Sequence, residues 1–137
     1  MVKKNCLQSK AEKIILSDPV RPHIQAHERL SPGREMYHLD EKAFLCLAYL
    51  ENIPEDEKNL MSYCVGPVAV AYTVWSIEKG MGRKIILAIR DLISKTSRFK
   101  QLVTLSPKTE MAMKFHLSNG AFLLKENISS NNFKYDL

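Results

Sequence analysis

The chain has 137 residues, 45% of them apolar and 26% charged, with a formal net charge of +5. That length and balance predict a single soluble domain over residues 1–137 and exclude a disordered or fibrous chain. No apolar run reaches the roughly 18–20 residues of a membrane span, and the charged start MVKKN has no apolar stretch behind it, so a cytoplasmic protein with no membrane partner is expected.

The charge is uneven along the chain. Residues 1–77 hold 9 Lys/Arg against 10 Asp/Glu, a net of −1, and residues 78–137 hold 11 against 5, a net of +6. A basic second half points to an anionic partner, either nucleic acid or a phosphorylated cosubstrate. The basic residues are scattered over helical positions without interleaved exposed aromatics, which argues against nucleic acid. Cys6, Cys46 and Cys64 lack metal-ligand spacing. Cys46 and Cys64 lie in apolar surroundings and are expected as buried free thiols, with no metal site.

In chain order, residues 1–34 predict an irregular N-terminal segment. AEKIIL reads as a short helix or strand, DPVRPHI is broken by Pro19 and Pro22, and SPGR is a turn. EMYHL and AFLCLAYL predict a hairpin across the polar DEK loop. IPEDEKNLMS predicts a loop or short helix. GPVAVAYTVWSI is nearly continuous in apolar residues, as in a central strand covered on both faces. Ile85, Ile86, Ile89, Leu92 and Ile93 then recur at helical spacing. KQLVTLS predicts a short strand, PKTEMAMKFHLSNG a helix opened by Pro107, AFLLKE a final strand, and residues 127–137 a polar tail. The sum is a mixed α/β sheet with helices on its faces.

Two of the chain's 5 glycines, Gly80 and Gly82, sit between the long strand and the helix. Helix N-termini expose unpaired N–H groups, and glycine lets an anion approach them. Arg83 and Lys84 place positive charge where the helix dipole disfavours it, as an anion at this spot would compensate.

This loop resembles the Q/R-x-x-G-x-G/A fingerprint of the GCN5-related N-acetyltransferase (GNAT) superfamily. The matching stretch is Ile77-Glu78-Lys79-Gly80-Met81-Gly82, with Ile77 in place of the usual Gln or Arg. TEMAMKFHLSNGAF is similar to the family's later N-x-x-A-x-x-x-Y-x-x-x-G-F pattern. Ala112 and Gly120 match it, His116 stands in place of Tyr, and Ala121 in place of Phe. The resemblance covers about residues 35–125. It implies a mostly antiparallel mixed sheet with a V-shaped splay between two parallel central strands and helices on both faces.

The resemblance further implies acetyl-CoA as cosubstrate, its pyrophosphate on Glu78, Lys79, Gly80, Met81, Gly82, Arg83 and Lys84. An oxyanion-binding N–H is implied near Thr73-Val74-Trp75, with Val74 at its centre. The implied reaction is N-acyl transfer, most simply of acetyl, to a primary amine by direct attack. His116 takes the place of the family's acid, suited by an imidazolium near neutral pKa, with half-buried packing as its other role. His23 is the second candidate, by likeness to toxin-activating acyltransferases. Glu51 is a base acting through water, or else a solvent-facing strand-end acid.

The segment before EMYHL is short for a family acceptor region, as in compact GNAT-like proteins of bacteriophages. For a phage-encoded chain the host cytoplasm is the expected location. The alternative reading is a non-catalytic GNAT-fold binding or assembly protein. The amine acceptor, whether a small molecule or a protein lysine or N-terminus, is not readable. Self-association as a homo-oligomer is left open.

Overall fold

A computed structural model covers residues 1–137. In chain order it runs β1 (Val2–Asn5), α1 (Gln8–Ile14), a 3-10 turn (Ile15–Ser17), α2 (Ala26–Arg29), β2 (Arg34–Leu39), β3 (Ala43–Leu50), α3 (Glu57–Ser62) and β4 (Val68–Ser76). There follow α4 (Met81–Ser94), β5 (Gln101–Thr104), β6 (Ser106–Pro107), α5 (Glu110–Ser118), β7 (Phe122–Glu126) and β8 (Ser130–Tyr135). One sheet holds all the strands in the order β1-β2-β3-β4-β5-β8, with β8 also carrying β6 and β7. Every pairing is antiparallel except β4 with β5.

The expected hairpin is β2–β3. Asp40 and Glu41 at its tip both have positive φ, 52° and 55°, as a turn with two left-handed central residues requires. All eight residues of β3 are buried because both faces of the sheet are covered. Leu45, Leu47 and Tyr49 point to a core shared with Ile85, Ile86, Ile89 and Ile93 of α4. Phe44, Cys46, Ala48 and Leu50 point to the other core, shared with Ala11, Ile24 and Ala26 of the N-terminal segment. Each buried isoleucine of α4 contributes about 1.5–3 kcal/mol of apolar burial, which fixes the helix against the sheet.

Several expectations need correction. The N-terminal segment is not irregular: it supplies an edge strand and two helices. The 127–137 tail supplies β8, which lies between β5 and β7. Its polar sequence hid it, because Ser130 and Asn132 are buried with long-range partners. Asn132 Nδ2 donates to the Pro54 and Thr104 carbonyls at 2.9 and 2.8 Å, and Ser130 Oγ donates to the Glu55 carbonyl at 2.7 Å. AFLLKE is therefore not the last strand. Pro107 does not open α5, which starts at Glu110 with Thr109 Oγ1 accepting from the Ala112 N–H. Cys46 is a buried free thiol pushed up to about 11 by burial, whereas Cys64 is exposed. No helix is long and apolar enough to cross a membrane.

The place of β8 in the core sets a stability expectation. Phe133 is 0% exposed and Phe122 of the neighbouring β7 is 43% exposed. Urea denaturation should show Phe133→Ala losing about 3–5 kcal/mol. Phe122→Ala should lose less than about 1 kcal/mol. Equal costs would contradict the placement of β8.

Candidate functional site

The site begins where β4 and β5 part. They pair from Val68↔Gln101 to Ala71↔Thr104, and the last bond across them is Leu105 N–H to the Ala71 carbonyl at 3.3 Å. The parting coincides with a bulge. Cys46 of β3 pairs with Thr73 and Leu47 pairs with Ala71, so Tyr72 is an extra residue. An extra residue resets which way the backbone groups point. Ile77 N–H bonds back to the Lys42 carbonyl, on the β3 side. Alternation along the strand then turns Trp75 toward β3 and the N–H of Val74 toward the opening.

A cleft of about 560 Å³ fills this opening, lined by both parted strands, Gly82, Phe115 and His116 on one side and Pro19 and Val20 on the other. That volume is in the range of small-molecule sites. At its rim, Gly80 is the N-cap of α4, with φ of 85°, and no side chain caps the helix. The first α4 bond from this turn is Lys84 N–H to the Gly80 carbonyl, which leaves the Gly82 and Arg83 amides without backbone acceptors. Gly82 also sits close to α5: a Cβ there would stand 3.3 Å from Phe115 Cε1. The left-handed turn calls for glycine at 80, and a Cβ at 82 would need the Phe115 ring to give by a few tenths of an ångström.

The flanking charges behave differently from one another. Glu78 is paired with Lys42 at 3.0 Å. Arg83 reaches across to α5, donating to the Ser118 carbonyl and Asn119 Oδ1, both at 3.0 Å, so its charge is absorbed by the α5 C-terminus. Lys79 and Lys84 are exposed. Met81 is buried in the α4 core.

His116 lies on the cleft wall and is 6% exposed. Its Nδ1 is 2.7 Å from Tyr135 Oη, while Nε2 has no protein partner. Burial pushes the imidazole down to about 4, so the ring is neutral at neutral pH and the expected imidazolium is corrected. Burial also holds the Tyr135 phenol well above its ordinary range. A phenol is the stronger donor of this pair and an imidazole nitrogen the stronger acceptor. Tyr135 therefore donates to Nδ1 and the ring proton stays on Nε2.

The other two candidates lie elsewhere. Glu51 follows β3 at the end that pairs with Val68, where it accepts from the Cys64 N–H at 3.4 Å. Four residues of β4 separate Val68 from Tyr72, roughly 13 Å, so the structure does not bring Glu51 to the cleft. His23 does not line the cleft either. Its Nε2 meets the Glu57 carboxylate at 2.8 and 3.0 Å on the outer surface.

Three residues carry the site without any spacing that marks them. Arg21 is 8% exposed and donates from Nε to the Tyr72 carbonyl at 2.8 Å and from Nη2 to the Leu105 carbonyl at 2.6 Å. Asp18 and Arg29 form a fully buried ion pair at 2.8 Å. Asp18 also accepts from Thr73 Oγ1 at 3.0 Å, which ties the N-terminal segment to the parted end of β4. The only available signal was charge beside prolines, with Asp18 before Pro19 and Arg21 before Pro22.

The His116 environment has a pH consequence. Between about pH 6.5 and 4 the unfolded chain binds a proton at this position and the folded chain does not, so stability falls as pH drops through that window. The full loss is about 3 kcal/mol. Urea midpoints at pH 7.5 and pH 4.5 should differ less in His116→Gln than in the parent. An NMR titration placing the His116 midpoint above 6.5 would contradict this burial.

No protein-family model matches the chain, and no characterised protein matches it in sequence. Solved structures do match in fold. The loading GNATL domain of CurA from Lyngbya majuscula has a TM-score of 0.71 at 11% identity, over 99% of this chain and 98% of that domain. PaiA N-acetyltransferase from Thermoplasma acidophilum, in complex with coenzyme A, has 0.61 at 9% identity, over 100% of this chain and 99% of that one. Malonyl-CoA decarboxylase from Agrobacterium vitis has 0.63 at 22% identity, over 78% of this chain, which spans 33% of the length of that enzyme. The chain carries the GCN5-related N-acetyltransferase fold.

Proposed function

We propose that this chain binds a coenzyme A thioester and transfers its acyl group, acetyl in the first instance, to a primary amine. One observation carries the proposal: the cleft between β4 and β5 runs to the uncapped N-terminus of α4. Unpaired Gly82 and Arg83 amides suit a pyrophosphate. Lys79 and Lys84 suit the remaining phosphate charge.

In this assignment the thioester lies between the parted strands. The amine nitrogen attacks the thioester carbon, the C–S bond breaks, and the proton given up by the amine passes to the leaving thiolate. The Val74 N–H stabilises the oxyanion in a site shielded from water. His116, being neutral, serves as a fixed Nε2–H donor toward the departing sulfur rather than as a source of an acidic proton. Glu51 and His23 have no part in these steps.

Decarboxylation of a malonyl thioester, the activity named for one of the structural neighbours, is a second assignment. It is favoured by the N-terminal segment on one face of the cleft, where Pro19 and Val20 line the wall and Arg21 ties the two strands, since loss of carbon dioxide needs no acceptor. Acetyl-CoA formed from malonyl-CoA without any amine present would select it. Thioester binding with no turnover of either kind would select the non-catalytic binding protein.

Calorimetric titration should show acetyl-CoA and free coenzyme A binding to the parent. Gly82→Asp should abolish both, because it puts a side chain and a negative charge where the phosphates sit. An acid at a helix N-terminus is otherwise favourable and offsets part of the cost of moving Phe115 aside, so Gly82→Asp should remain folded by circular dichroism. Undiminished binding to Gly82→Asp would remove the loop from the site.

A further inference from the structure

Arg21 does what a ligand would be expected to do. Past Ala71 and Leu105 the two strands no longer face each other, and the carbonyls of Tyr72 and Leu105 turn into the opening. Left empty, two converging carbonyls out of contact with water would be costly. The Arg21 guanidinium lies across them, at 2.8 and 2.6 Å. Its third arm, Nη1, donates to Glu57 Oε1 at 2.7 Å on the outer side, where the Glu57 side chain is 38% exposed and is shared with His23.

The anchoring of Arg21 is lopsided. Its N–H donates to Asp18 Oδ1 at 3.1 Å and its carbonyl accepts from Arg29 Nη2 at 2.6 Å. Its backbone is therefore fixed by the buried Asp18–Arg29 pair, and only the side chain is free to leave. The outermost of its three bonds is made to a half-exposed carboxylate, whose partner is readily exchanged for water.

We propose that Arg21 holds the place of the acceptor's amine: its guanidinium fills the cation site formed by the Tyr72 and Leu105 carbonyls, and transfer through this face requires it to withdraw. The α4–α5 side of the cleft is where the phosphate-binding rim lies. On the opposite face Pro19 and Val20 line the cleft and Arg21, next in the chain, spans the carbonyls of both strands, so a nucleophile reaching a thioester from that face meets this segment. An ammonium arriving there finds both acceptors taken and a like charge in contact distance. Arg21 thereby determines which acceptors are used. Small amines compete with it poorly, and an acceptor that also engages Glu57 draws it away. The catalytic consequence rests on the coenzyme A thioester assignment, but the occupied cation site does not.

The test uses Arg21→Ala in the full chain, with ethylguanidinium and ethylamine as probes. Ethylguanidinium should bind Arg21→Ala and not the parent in calorimetric titration, an outcome independent of coenzyme A. With acetyl-CoA present, ethylamine-dependent release of free thiol should rise by about tenfold or more in Arg21→Ala, as two charge-assisted bonds no longer compete. Added ethylguanidinium should return it to the parental rate, which a merely structural role would not produce. A folded Arg21→Ala that binds acetyl-CoA like the parent, yet neither takes up ethylguanidinium nor gains turnover, overturns the proposal. Should Arg21→Ala fail to fold, Glu57→Gln, which weakens only the outer arm, must raise the ethylamine rate over the parent, and an unchanged rate overturns it. Failure of the parent to bind acetyl-CoA removes the thioester assignment and leaves ethylguanidinium binding to decide the cation site.

Discussion

Between Ala71 and Tyr72 the sheet stops being continuous. One extra residue in β4 and the end of pairing at Leu105 leave two neighbouring strands with backbone groups that no strand satisfies. Such groups must find partners or remain reachable by water or ligand. Here the two ends of the problem are solved differently. The Tyr72 and Leu105 carbonyls are satisfied by Arg21, while the Val74 N–H faces a cleft large enough for a small molecule. α4, α5 and the N-terminal segment each contribute residues to the walls of that one gap.

The buried Asp18–Arg29 pair is what holds the N-terminal wall in position. Desolvating two charges costs several kcal/mol each, and their attraction repays this only with complete hydrogen bonding. That condition is met. Asp18 accepts from Val20 N, Arg21 N, Thr73 Oγ1 and Arg29 Nη1, and Arg29 donates to the Ile24 and Arg21 carbonyls. Removing either partner would leave an uncompensated buried charge, and the bonds of the pair hold residues 18–21 against β4.

The parts of the fold that follow hydrophobic period were legible in the sequence: the β2–β3 hairpin, central β4 and amphipathic α4; the parallel central pair was implied by the family resemblance. The glycine loop was legible because glycine and a helix start leave a local signature. β8 was not, since Ser130 and Asn132 look like a solvated tail until their long-range partners are known. Arg21 was missed for the same reason: its acceptors are backbone carbonyls 51 and 84 residues away, and no spacing marks them. The family pattern put His116 in the place of the family's acid, and in the structure it lines the cleft. Its charge state was misjudged, because the burial that lowers it comes from elements that sequence order keeps apart.

The basic second half of the chain also takes a more specific meaning. Arg83 serves the α5 C-terminus, so only Lys79 and Lys84 remain at the α4 rim to meet an anion. A second cleft, of about 500 Å³ beside Glu35, Tyr49 and Phe99, offers an independent place for a ligand. Hydrogen–deuterium exchange with and without coenzyme A separates these directly. The account predicts slowed exchange at the Gly82, Arg83 and Val74 amides; protection confined to residues around Glu35 and Phe99, or none at all, would contradict it.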